Sequence, residues 1–358
     1  MKKSHIYSIL LALIAAALFG ASAPLAKLLL GEIDPILLAA LLYLGSGLGI
    51  LIIKVIQRIG NKPQNTEARI VRSDWIWLAG ATIAGGIAAP IIMLFSLKAT
   101  PAATASLLLN FESVATTLIA ILFFKEAVSR RAWWAIITIT TASILLSINI
   151  KSTWGFSLGA VGIVVACLFW GIDNNLTRNI SGKDPLTIVT VKGLAAGTFS
   201  LILALVVGNQ IPIWGTVFKA LLLGSISYGV SIMLFIRALR GLGAARTSAL
   251  FSTAPISGLA LSLILFKEIP HATLFLALSL IAIGTFLLVN EEHIHTHVHE
   301  HMVHEHSHNH DDGHHDHSYE NEDLINHYHS HIHKHPHLDH KHLHMPDTHH
   351  RHSHGSKD

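Results

Sequence analysis

Two groups of residues in this chain could do chemistry. The first is a set of imidazoles. His293, His295, His297, His299 and His301 fall on every second residue, and His327, His329, His331, His333, His335 and His337 repeat the pattern. Neutral imidazole binds zinc, nickel, cobalt or copper, and a flexible chain can gather several such nitrogens around one ion. Asp311, Asp312 and Asp316 add oxygen donors. Binding of a divalent transition metal by this segment is therefore expected, with no obligatory cofactor elsewhere. His304-Glu305-His306-Ser307-His308 also fits the HExxH pattern of zinc proteases, but so histidine-dense a segment produces that match by chance, and it has neither helix nor pocket around it.

The second group is polar residues set in apolar sequence. A charge inside a membrane costs about 2.5–3.5 kcal/mol on the insertion scale, so each one needs a reason. Glu112 lies near the middle of an apolar run, too deep to reach the surface easily. A carboxyl there suits a proton carrier or a cation ligand; the plainer alternative is an acid hydrogen-bonded to a neighbouring helix. Asn110 faces the same cavity or relieves local polarity. Trp170, Asp173, Asn174 and Asn175 form a second cluster. Successive helical residues rotate by about 100°, so the three adjacent polar residues cannot share one face. Some must touch neighbouring helices and at least one is free to meet a solute, although their nearness to a membrane surface also fits an interfacial role. Trp170 is either a cavity wall or lipid-facing packing. Lys27, Lys192 and Arg246 lie nearer helix ends, where long cationic side chains snorkel to the interface. Glu126 and Glu268 close helices at the end where the dipole disfavours anions, which points to structural hydrogen bonds. His5 and His271 read as interfacial residues.

These residues sit in two different materials joined near Asn290. The chain is 51% hydrophobic and only 13% charged, about half the charge of a soluble domain. Residues 1–290 are almost continuously apolar, whereas residues 291–358 hold 25 of the 27 histidines. The tail has little to bury and is expected to be disordered without metal. The net charge of +3 says little about partners, because the tail's charge changes with pH and bound metal. Cys167, the single cysteine, excludes a disulfide framework and a thiolate metal site.

A membrane helix needs about 20 apolar residues. Ten runs qualify, at roughly 6–29, 34–56, 74–97, 101–124, 131–149, 155–178, 185–208, 214–238, 243–266 and 271–290. Ala21-Ser22-Ala23 resembles a signal-peptide cleavage site, but Pro24 is a poor residue after a cut and the apolar run continues through Leu30, so a retained first helix is expected. With the N-terminus inside, the inner loops carry fourteen Lys and Arg residues, from Lys2 to Arg240, against Lys98, Lys151 and Lys267 outside. That bias places both termini in the cytoplasm of a multi-pass inner (plasma) membrane protein.

The chain also repeats itself. Phe124-Lys125-Glu126 closes the fourth run and Phe266-Lys267-Glu268 the ninth, 142 residues later; Ala102-Ala103 matches Ala244-Ala245 and Ser106 matches Ser248 at the same offset. Leu18-Phe19 and Leu168-Phe169 open the two halves, and Met93-Leu94-Phe95 answers Met233-Leu234-Phe235 after a two-residue insertion. Five helices per repeat is an odd number, so the second copy enters the membrane from the opposite side. The expected fold is an all-α polytopic membrane protein of ten transmembrane helices in two inverted five-helix repeats, residues 1–150 and 151–290, followed by the disordered histidine-rich, metal-binding tail 291–358. Inverted repeats of this kind characterise secondary transporters, whose site lies between the halves near the midplane.

Leu18-Phe19-Gly20 through Lys27, Asn110-Phe111-Glu112 with the Phe-Lys-Glu ending, Leu168-Phe169-Trp170, and Ala254-Pro255 leading to Phe266-Lys267-Glu268 together resemble the EamA-type branch of the drug/metabolite transporter superfamily. The resemblance covers residues 6–290 and departs at Ser113, where the first copy lacks the proline seen at Pro255. It implies ten helices, cytoplasmic termini and small-solute transport. The leading expectation is a secondary active exporter of a small solute by alternating access, with a cytoplasmic chelating tail. One alternative is a zinc, nickel or cobalt transporter fed by the tail; another, of a different class, is a membrane metal sensor or storage protein. No enzymatic activity is expected, and no GxxxxGK[ST] motif supports direct ATP drive. The expected partners are membrane lipid and a small-molecule or metal-ion solute, with a homodimer as the candidate assembly and no nucleic acid.

An isolated peptide of residues 291–358 should bind several divalent transition-metal ions at neutral pH. Binding should weaken as pH falls through about 6.5, because a protonated imidazole cannot coordinate a metal. Titration calorimetry checks both points, and absence of metal-dependent heat at neutral pH would defeat the chelation claim.

Overall fold

A computed structural model describes residues 2–59, 68–124, 130–147, 157–180, 182–242, 250–267 and 272–289, and within the tail 293–299, 302–309, 328–335 and 338–344. Seven helical spans are long and apolar enough to cross a membrane, and three shorter apolar helices, Trp133–Leu145, Ala254–Phe266 and Ala272–Leu287, complete the ten. The chain is a multi-pass α-helical membrane protein.

The first span bends at Ala21, between Lys2–Gly20 and Ser22–Leu29. The second is the unbroken helix Pro35–Ile59. The third runs from Trp75 to Lys98 and contains a π-helical stretch, Thr82–Ala88. The fourth is Ala102–Leu108 followed by Phe111–Phe124, and the fifth Arg130–Ser147. The sixth, Leu158–Arg178, and the seventh, Pro185–Val206, are continuous. The eighth, Trp214–Leu242, contains a second π-helical stretch, Gly224–Val230. The ninth is Ala254–Phe266, preceded by a turn at Ser252 and Thr253, and the tenth is Ala272–Val289.

The repeat read from short motifs reappears in the backbone. The two π stretches are each seven residues long and lie 142 residues apart. The break of span 4 at Leu109 and Asn110 has its counterpart in the turn before span 9. Span 2 packs on span 7, span 4 on span 9 and span 5 on span 10, while the pairing of span 1 with span 8 is mirrored by that of span 3 with span 6. Each of these is the set of contacts an inverted duplication must make with itself.

Spans 2 and 7 cross at the centre, where glycine lets the backbones touch. A Cβ built on Gly47 would lie 2.6 Å from the amide nitrogen of Leu194, and one built on Gly193 would lie 2.6 Å from that of Gly47. Small residues at such crossings replace the hydrophobic drive that lipid cannot supply. Around this seam the buried core includes Leu37, Leu38, Leu42, Leu94, Leu97 and Ile163.

At the face where span 2 ends and span 7 begins, ion pairs tie the two halves. Lys54 meets Asp184 at 3.0 Å and also bonds Thr187. Asp184 caps span 7 by accepting from the Leu186 amide, and its own amide donates to the Ala68 carbonyl at 2.9 Å. Lys183 lies 3.6 Å from Asp74. At the opposite face Asp34-Pro35 opens span 2 just as Asp184-Pro185 opens span 7, yet Asp34 is exposed and, among the described residues, no cation pairs with it. Lys27 reaches the end of a neighbouring span. Its ammonium donates to the carbonyls of Leu97 and Thr100, where the end of span 3 offers unsatisfied acceptors and a favourable dipole.

Four segments of the tail are described. Strand β1 (His293–His299) pairs antiparallel with β4 (Leu338–His344), and β2 (Met302–Asn309) with β3 (Tyr328–His335). Alternation of histidine with other residues has the two-residue period of a strand. His301, His327 and His337 lie outside the described residues, as do Glu126, Arg246, Glu268 and His271.

Gly193→Leu should force spans 2 and 7 apart and cost about 1–3 kcal/mol of stability or more. Gly215→Leu is the control, since nothing lies within 4 Å of a Cβ there. Unfolding midpoints in detergent should fall for the first variant only; equal midpoints would refute a close crossing.

Candidate functional site

Span 4 breaks where polar residues compete with the helix for backbone partners. The Ser113 hydroxyl donates to the Asn110 carbonyl at 2.8 Å, and the Glu112 amide reaches only to the Leu109 carbonyl. The Cys167 thiol of span 6 approaches the carbonyls of Leu108 and Leu109 at 3.7 and 3.9 Å. Asn110 is buried at the break, and its side-chain amide nitrogen has no hydrogen-bond partner among the described residues. A buried amide left unpaired is uncommon in a finished core.

Two residues further on, Glu112 is half-buried at the middle of the fourth span. Its Oε1 accepts from Asn174 Nδ2 at 2.8 Å, and the second hydrogen of that amide reaches Thr116 Oγ1 at 3.1 Å. Asn174 itself is exposed, so this contact lies at the edge of the helix pair rather than in its core. Among the described residues no lysine or arginine lies within ion-pair distance of Glu112.

The adjacent residues of span 6 diverge, as their rotation requires. Asn175 Nδ2 turns to the Thr116 carbonyl at 3.0 Å and to the Gly171 carbonyl at 2.8 Å. Asp173 turns the other way, into the interior. Its Oδ1 accepts from Thr177 at 2.9 Å, and its Oδ2 forms an ion pair with Lys192 of span 7. The carboxylate fits because span 3 presents Gly85 there: a Cβ at that position would lie 1.9 Å from Asp173 Oδ2.

Gly85 belongs to the π stretch, and a π turn loosens the regular ladder of backbone bonds. Its carbonyl accepts from Trp170 Nε1 at 3.1 Å and from the Tyr43 hydroxyl. Trp170 is therefore buried packing with its N–H satisfied, not a lipid-facing ring. Phe19 stands between Trp170, Tyr228 and Phe251, with ring centroids 6.5, 5.8 and 5.3 Å away, and Tyr43 meets Tyr228 at 5.6 Å. The site thus combines two carboxyls, one ammonium, an unpartnered amide and a wall of aromatic rings, drawn from spans 1, 2, 3, 4, 6, 7 and 8.

Of the residues singled out in sequence, Glu112, Asn174 and Asn175 meet across spans 4 and 6, while Asp173 and Trp170 both reach the π stretch of span 3. Lys192 corrects the reading of it as a snorkelling cation: it lies seven residues inside span 7, where an unpaired ammonium would be costly, and the pairing of Asp173 with it follows from that cost. Tyr43, Gly85, Thr116 and Tyr228 were not marked by any sequence signal, since a tyrosine or glycine in an apolar run is ordinary. Among the described residues, no three His, Cys, Asp or Glu side chains form a group able to hold a metal ion.

Comparison with known proteins agrees with this architecture. The chain is 29% identical over 268 residues to an uncharacterized transporter of Methanothermobacter thermautotrophicus, a match that spans 71% of this chain and 78% of that protein. A solved crystal structure shares the fold, with a TM-score of 0.57 at 18% identity over 78% of this chain and 95% of the other. The profile of the EamA-like transporter family matches residues 6–148 and 157–290, once for each five-helix half, and the chain belongs to that family of membrane transporters.

Proposed function

We propose that the chain is a secondary active exporter of a small solute, working by alternating access, with Glu112 as its exchanging carboxyl. Asn110, Trp170, Asp173, Asn174 and Asn175 line or shape the solute path. The observation that carries this reading is the Glu112–Asn174 contact beside the break of span 4. There an ionisable side chain, a buried amide without a partner among the described residues and two helix ends come together within one apolar span. Broken helices at corresponding places in inverted repeats are where secondary transporters hold their solutes. A carboxyl held by an amide rather than by a cation can exchange a proton or a cationic solute without first breaking an ion pair.

The one-sided ion pairs support alternating access. Lys54–Asp184 and Lys183–Asp74 join the halves at one face, whereas no described cation pairs with the equivalent Asp34 at the other. A path that opened at that face would have to part these pairs. In this reading the protein lies in the plasma (inner) membrane with both termini cytoplasmic, as the loop charges require. The tail chelates zinc, nickel, cobalt or copper on the cytoplasmic side. A second reading, favoured by the tail alone, is that the solute is the metal ion itself. Against it, residues 1–290 contain only two imidazoles, His5 and His271, one thiol, Cys167, and three thioethers, Met1, Met93 and Met233.

Glu112→Gln should abolish or uncouple transport in reconstituted vesicles while leaving protein amount and helix content unchanged; normal coupled flux in that variant would remove Glu112 from the mechanism. Uptake measured with a metal panel and a metabolite panel, on the full chain and on residues 1–290, separates the two readings. If metal is the solute, truncation should lower apparent affinity and leave transport. If metal only regulates, truncation should leave maximal metabolite flux and remove its response to metal.

A further inference from the structure

The two carboxyls of the site, Glu112 of span 4 and Asp173 of span 6, meet at one turn of span 6 but live in different surroundings. Asp173 is paired with Lys192, and the two side chains are only 8% and 14% exposed. Glu112 is bound to the amide of Asn174, the residue next to Asp173. Among the described residues, the ionisable groups that face this region are Tyr43 from span 2, Glu112 from span 4, Cys167 and Asp173 from span 6, Lys192 from span 7 and Tyr228 from span 8. Span 3 contributes backbone only, through Gly85, whose missing side chain admits the Asp173 carboxylate.

We propose that Lys192 is a positioning residue that holds Asp173 as a permanently paired carboxylate, leaving Glu112 as the single exchanging carboxyl of the site. This inference rests on the transport reading above and adds a stoichiometry to it: one exchangeable charge per passage. The physical ground is the cost of isolated charge in a medium of low dielectric. A buried carboxylate with an ammonium partner stays ionised, whereas one that loses its partner neutralises by taking up a proton. Lys192 acts through Asp173 and does not need to touch the solute. The pair also fixes the Asp173 side chain against Gly85, and so holds the π stretch whose carbonyl carries Trp170 and Tyr43.

The test needs no knowledge of the solute. The full chain is reconstituted in lipid vesicles, and the infrared carbonyl band of protonated carboxyls is recorded between acid and alkaline pH. Differences between variants cancel the exposed carboxyls of loops and tail. The wild-type minus Glu112→Gln spectrum should contain the band of one carboxyl. Lys192→Met should raise the titrating area from the site twofold, and the double variant Lys192→Met/Asp173→Asn should return it to the wild-type value. Lys192→Arg keeps the charge and should behave as wild type, and it stands in if Lys192→Met does not fold. A Lys192→Met site with the band of Glu112 alone, or a second band in Lys192→Arg, would overturn the inference. A wild type with no Glu112 band but a new Asp173 band in Lys192→Met would overturn the transport reading and leave the role of Lys192 standing.

Discussion

Everything in this structure answers to one constraint: inside a membrane, a polar group has no water to fall back on. The helical spans satisfy their own backbones, and what remains must be paired from a neighbouring span. Lys192 finds Asp173, Lys27 finds the open carbonyls at the end of span 3, and the indole of Trp170 finds Gly85. Each of these contacts joins two spans, so the demand for pairing also fixes how the bundle is assembled. Five side chains are exceptions, with buried polar atoms that no described residue satisfies: Asn110, Thr190, Ser200, Asn209 and Thr285; of these only Asn110 lies beside Glu112. An exception of that kind, at a helix break beside an ionisable side chain, is what separates a site from a scaffold.

The irregular stretches are the means by which the fold supplies polar groups where its side chains cannot. A regular helix keeps its carbonyls for itself. The π stretch of span 3 lets one carbonyl serve two side chains from spans 2 and 6. The break of span 4 leaves the carbonyls of Leu108 and Leu109 within reach of a thiol. That the matching stretches recur at corresponding positions of the second half shows that these irregularities were present in the unit that was duplicated. The aromatic rings of Phe19, Tyr43, Trp170 and Tyr228 then close around them.

Much of the fold was legible in the sequence, and the reason is physical. Hydrophobic length alone marks a membrane span, and the Phe-Lys-Glu endings marked the duplication. Glu112 stood out because a carboxylate in an apolar run is costly, and Asp173, Asn174 and Asn175 because three polar neighbours cannot all be hidden on one face. What escaped was partnership. Lys192 looked like an interfacial cation because sequence shows depth only approximately, and Trp170 could not be assigned to core or lipid without its acceptor, Gly85. In the tail, composition argued for disorder without metal, and the two-residue alternation of histidine also has the period of the strands that its described segments form.

The crossing of spans 2 and 7 has a mechanical meaning beyond its tightness. Gly47 and Gly193 meet backbone to backbone, with the side chain of Leu194 seated over Gly47 and that of Leu44 over Gly197. Contact that close leaves no slack, and anything larger than hydrogen on either glycine would act as a wedge between the helices. Asp184, with the ion pair that joins the halves, sits nine residues along span 7 from Gly193. A wedge at the crossing would therefore be felt at that ion pair as well. The smallest side chains in the bundle act as the shim that sets the spacing of its two halves.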